Sequence, residues 1–213
     1  MTTLAKVDNI TGQILSEFTG GSTADVAMMI GIGLVKDSDA VFFQYLGEEQ
    51  PARALSYPSG KPVTKMANVR LNGIEVVDGI GEFASTKLNV FIESSEGTIL
   101  MLTSGLQTIW SQCVITALMG LVGSGNLDAA FSLDTWKGTS KMRPCFGSIK
   151  VNNVGMKDNE LYALLTEARS DGNKQLVEQI CRNAVTTLSN ALTGGPVEEA
   201  VVSLATNEVV ADF

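Results

Sequence analysis

Residues 87–122 read KLNVFIESSEGTILMLTSGLQTIWSQCVITALMGLV, and the order of elements in this stretch decides the fold. Leu88, Val90 and Ile92 alternate with Lys87, Asn89, Phe91 and Glu93, the period of a strand with one apolar face. Ser95-Glu96-Gly97 turns the chain, and Thr98 to Thr103 follows as its hairpin partner. The period then changes. Leu106, Ile109, Trp110, Cys113, Val114, Ala117, Leu118 and Leu121 recur at spacings of three and four, which lays one apolar stripe on a helix. Gly123-Ser124-Gly125-Asn126 ends it. The glycines of GLVGSG, residues 120–125, mark that stop rather than a phosphate loop, because they follow a helix and no Lys-Ser/Thr pair comes after them.

Before this stretch, Met66 to Val77 reads as extended chain, with Asn72-Gly73 marking a tight turn or a bulge. After it, Ala129 to Trp136 and Phe146 to Asn152 read as two more strands. The order strand, strand, strand, helix, strand, strand predicts an α+β fold, mainly β. Its expected centre is a five-stranded Greek-key barrel of the oligonucleotide/oligosaccharide-binding (OB) type, with the helix between strands three and four. The first strand is placed at about 66–78 and the fifth at about 146–152. Asp158 then caps a helix carrying Leu161, Leu164 and Leu165, and Asp171-Gly172 breaks it. A second helix carries Leu176, Ile180, Ala184, Leu188 and Leu192 on one face.

The first sixty residues are less regular. Val7 to Phe18 fits a strand pair or a short helix, Asp25 to Val35 a weak helix or a buried strand, and Ala40 to Leu46 a strand. Thr19-Gly20-Gly21-Ser22 and Tyr57-Pro58-Ser59-Gly60 are turn signals. The expected organisation is an N-terminal extension at 1–60 packed on a barrel at 61–157, a helical extension at 158–195, and an acidic tail at 196–213.

Composition narrows the function. Hydrophobic residues make up 45% of the 213, so a real core can form. No apolar run is long enough to span a bilayer, and the N-terminus lacks the parts of a signal peptide, so a cytoplasmic protein is expected. The chain has no histidine, which removes the commonest general base and transition-metal ligand. Cys113, Cys145 and Cys181 are scattered and odd in number, as small buried hydrophobes are, with no metal spacing. No catalysis, no metal and no cofactor are expected.

Charge is distributed unevenly. The formal net charge is -8, made of -4 over residues 1–60, +2 over 61–157 and -6 over 158–213. Thr135 to Lys157 carries Lys137, Lys141, Arg143, Lys150 and Lys157 with no acid. Alternation puts Phe91, Trp136 and Phe146 on the polar faces of their strands, in company with Arg70, Lys87 and Lys150, while Trp110 lies on the helix stripe and belongs to the core. Aromatic faces interleaved with cations suit a single strand of nucleic acid, whose bases stack on rings and whose phosphates meet the cations. The candidate nucleic-acid-binding residues are Arg70, Lys87, Phe91, Trp136, Lys137, Lys141, Arg143, Phe146 and Lys150.

The middle of the chain and its last residues, EVVADF, together resemble the OB-fold single-stranded DNA-binding proteins of bacteria and phages. The resemblance covers about residues 66–152 and the final few, and rests on element order and pattern rather than on an invariant motif. It implies an aromatic and basic groove that binds single-stranded DNA in replication and recombination, in preference to RNA. It also implies an acidic tail, here Glu208, Asp212 and Phe213, that recruits replication proteins. The tail departs from the family in being less acidic. The competing expectation is an oligomeric structural or assembly protein, viral in type, that binds no nucleic acid. The long apolar stripe from Leu176 to Leu192 predicts a homo-oligomer with this helix at the contact.

Overall fold

The structure is a computed structural model and describes residues 26–33, 35, 38–45, 52–80 and 85–195. Along the chain lie β1 (Val26–Ile32), β2 (Phe42–Gln44), β3 (Arg53–Ala54), β4 (Lys65–Ile80), β5 (Ser85–Glu93) and β6 (Ile99–Gly105). Helix α1 (Ile109–Gly123) follows, then β7 (Phe131–Lys137), β8 (Cys145–Val151), β9 (Val154–Met156), α2 (Asn159–Ser170) and α3 (Lys174–Leu192). The nine strands form one sheet in the order β3-β2-β1-β6-β5-β4-β7-β8-β9, antiparallel except where β1 runs parallel to β6.

The elements expected between residues 66 and 152 are present, but the five-stranded barrel is not. Closure would need β6 to pair with β8. β1 takes the free edge of β6 instead, in register from Val26↔Ile99 to Gly31↔Thr103. β8 pairs β7 on one side and β9 on the other, so neither of its edges is open. Unpaired edge groups need partners, and here the edge of β6 takes a strand from far earlier in the chain while that of β8 takes the local β9. β9 is reached through Asn152 and Asn153, which hold φ of 50° and 64°, the two-residue turn that asparagine tolerates. Residues 26–54 thus supply three strands of the sheet.

The sheet curls until the β1–β2 connection touches the β7–β8 hairpin. Lys137 Nζ donates to the carbonyls of Val35, at 3.0 Å, and Ser38, and Arg143 Nη2 meets Asp39 Oδ1 at 2.8 Å. These are side-chain links, with no ladder between β1 and β8.

The core lies on one face of the sheet, beneath the helices. Leu88, Val90, Ile92, Leu102, Phe131, Leu133, Ile149 and Val151 are buried there, as the alternation predicts. α1 packs on β8 where Gly147 leaves room. A Cβ at that position would lie 2.9 Å from Val114 Cγ2 and 3.1 Å from Trp110 Nε1. α2 and α3 cover the other side of α1, so this helix is buried nearly all round rather than along a single stripe. Its inward polar groups are satisfied locally: Ser111 Oγ donates to Gly105 O at 2.8 Å, and Thr116 Oγ1 to Gln112 O at 3.0 Å.

Val177, Ile180, Cys181, Ala184, Val185 and Leu188 of α3 are buried within the chain, against α1, α2 and β4. The stripe that argued for an oligomer contact is spent on the chain's own core. Both C-terminal helices are capped as their sequences predict, Asp158 accepting from Leu161 N at 2.9 Å and Asn173 from Leu176 N at 3.0 Å. Among the described residues, no helix is long and apolar enough to cross a membrane.

Candidate functional site

The face of the sheet away from the helices differs along its width. Alternation on β7 sends Thr135 inward, where its hydroxyl accepts from the Trp110 indole N–H at 3.1 Å, and sends Trp136 outward. Trp136 opposes Phe146 of β8 in register, and the two rings stack with centroids 5.9 Å apart and planes 16° from parallel. Cross-strand aromatic pairs hold each other in place. Trp136 nevertheless keeps 46% of its surface exposed. An aromatic plane is therefore fixed in position and open to solvent.

Cations lie on these strands, on the neighbouring β4 and at the hairpin tip. One turn of the pleat away, Asp134 stands between Lys150, at 3.1 Å, and Lys65, at 4.0 Å. Two ammonium groups share one carboxylate, which leaves this spot net positive. Lys141 and Met142 are exposed at the tip of the hairpin, and Lys141 has no ion-pair partner among the described residues. Arg143 is exposed and bonded to Asp39, whose carboxyl its guanidinium holds below the usual carboxylate range. The Cys145 thiol beside them is pushed up by burial, which Lys137 and Arg143 oppose.

Five of the nine candidate residues, Trp136, Phe146, Lys150, Lys141 and Arg143, gather on this hairpin. Four are placed differently. Lys137 alternates to the opposite face from Trp136, and its ammonium is tied to the Val35 and Ser38 carbonyls, where it fastens the hairpin to the β1–β2 connection. Phe91 is on the polar face, as alternation predicts, but it is only 8% exposed. It packs with Met101, Val26, Met29 and Ile99, and its ring lies over Gly73, where a Cβ would come within 3.3 Å. It has no free plane to offer.

Lys87 opposes Val77, twelve residues along β4 from Lys65, on the order of 40 Å of strand path. It does not belong to the Trp136 cluster. Arg70 is exposed on the outer face at the far end of β7, opposite Glu93 of β5. The tail residues Glu208, Asp212 and Phe213 lie outside the described residues, as do Val7 to Phe18.

Lys65 was not among the expected residues. Counting back from Val69 by strict alternation puts Lys65 on the core face. The ladder between β4 and β7 slips between Met66 and Val69, where Asn68 takes φ of 56°, and this slip turns Lys65 outward to face Asp134. The asparagine in a strand-like run is the one sequence signal for it.

Among the described residues no group of three or more Cys, Asp or Glu side chains is placed to hold a metal ion. Burial pushes the Cys113 thiol up, and the Cys181 thiol up to about 12, which keeps both in the unreactive thiol form. Comparison with protein-family models, curated proteins and solved structures yields no match to this chain.

Proposed function

We propose that the chain binds single-stranded DNA on the outer face of the β7–β8 hairpin and the start of β4, without chemistry. The observation that carries this is the Trp136–Phe146 stack, a preformed aromatic surface on strands that, with β4, also present Lys65 and Lys150 around Asp134, with Lys141 exposed at the hairpin tip. A base lies on the open plane of Trp136, and sequence matters little there because every base has a π-face. Phosphates take Lys141, and compete with Asp134 and Asp39 for Lys150 and Arg143. Both carboxylates are near the surface, so releasing them costs little. Binding in replication and recombination, and any recruitment through the tail, belong to the same proposal. The assembly alternative loses its main support, because the stripe of α3 faces inward.

The experiment is a titration of labelled oligo-dT by the full chain at several salt concentrations. Replacing Lys141 or Lys150 with Ala is expected to shallow the log–log salt slope by about 0.7 each, one phosphate contact apiece. Lys137→Ala is expected to lower the thermal midpoint and leave the slope alone, since its ammonium serves the fold. Slopes equal to wild type in both Lys141→Ala and Lys150→Ala would place the strand elsewhere.

A further inference from the structure

Arg70 and Glu93 stand directly opposite each other on β4 and β5. Opposite charges in that relation ordinarily close an ion pair. Here they do not: among the described residues neither side chain has an ion-pair or hydrogen-bond partner. They line an open pocket of about 240 Å³ together with Asn68, Ser94, Ser95 and Ala130. The hairpin that forms one wall is fixed, because Ser94 Oγ accepts from the Thr98 and Glu96 backbone N–H groups at 3.2 and 3.3 Å. Asn68 lines the pocket from β4, at the slip in the β4–β7 ladder.

The pocket is on the same sheet face as Trp136. Ala130 precedes Trp136 by six residues, so about 20 Å of β7 separates the two, with Lys65, Asp134 and Lys150 between them. That span is several nucleotides of extended strand.

We infer that this pocket is a base-reading subsite of the same strand, and that the base it takes is guanine. The inference rests on the proposed single-strand reading. A guanidinium offers only donors and a carboxylate only acceptors. Guanine presents both complements side by side: O6 and N7 accept from the arginine fork, while N1–H and the N2 amino group donate to a carboxylate. Guanine alone gives the Glu93 carboxylate two adjacent donors; thymine gives it only N3–H, and cytosine only its N4 amino group. Adenine has no oxygen beside N7 for Arg70. The chain therefore grips a strand through sequence-tolerant stacking at Trp136 and reads one position a few nucleotides away.

The test compares the full chain on an oligo-dT and on the same oligomer carrying one internal dG, dA or deoxyinosine, which lacks the N2 amino group. The dG oligomer is expected to bind about tenfold tighter than the dT or dA oligomers, with inosine between them. Glu93→Gln and Arg70→Lys, the latter keeping the charge but losing the fork, are expected to abolish the preference while oligo-dT binding persists. If oligo-dT binds and dG confers no advantage, the subsite is refuted and the single-strand reading stands. An advantage that survives both substitutions places the reading of guanine elsewhere and also overturns the assignment. Should no oligomer bind, both fall together.

Discussion

Trp110 and Trp136 are the same residue type in opposite circumstances, and the difference lies in one neighbour. Trp110 is 1% exposed, and its indole N–H needs a partner because water cannot reach it. Thr135 supplies that partner at 3.1 Å, from the inward side of the strand that carries Trp136 outward. Thr135→Val keeps the shape and removes the acceptor. Stability to urea is expected to fall by about 1–3 kcal/mol, with oligo-dT affinity unchanged. A variant as stable as wild type would mean that Trp110 is satisfied in another way. Both placements were legible in the sequence, since Trp110 falls on a helix stripe and Trp136 on the polar parity of a strand. The covering of Phe91 was not. Its parity is right, yet Met29 and Val26 reach it from a strand some sixty residues earlier, and alternation along one strand cannot report what another strand lays over it.

At the scale of elements, the local signals held. The three strands, the helix and the two further strands between 65 and 151 follow from period and turn chemistry, and Asn72-Gly73 marks a bulge, seen as a shift in the β4–β5 register. Pairing partners were harder. Which strand takes the edge of β6 is decided by contacts between residues about seventy apart, and β9 is announced only by Val-Asn-Asn-Val. The end of β4 is joined to α3 by a similar long-range link. Arg182 bonds Asp78, contacts Glu178 at 2.8 Å, and holds both carboxyls below their ordinary values. Carboxyls with depressed values stabilise the fold fully above their unfolded values, near pH 4, and lose that contribution as pH falls through the lower folded ones. The stability advantage of the wild type over Arg182→Gln is therefore expected to be small but constant near neutrality, because the groups are near the surface, and to fade progressively as pH falls below about 4. Chemical denaturation at pH 7, 5 and 3 measures it. An advantage undiminished at pH 3 would show that Arg182 acts through packing.

For the whole molecule, the acidic total of -8 and a basic hairpin are compatible because charge is segregated. The helices take one face of the sheet and bury it. The other face carries a small apolar cluster around Phe91 on its β1–β6–β5 part and the open Trp136–Phe146 stack on its β7–β8 part. Lys65 and Lys150 flank Asp134 beside the stack, and Arg70 lies farther along the same face. That arrangement is the central claim, and Trp136→Ala in oligo-dT binding tests it most directly. With circular dichroism and thermal midpoint matching wild type, affinity is expected to fall by roughly 1–3 kcal/mol while the salt slope stays constant, because stacking releases no counterions. Unaltered affinity in a folded Trp136→Ala protein would contradict the account.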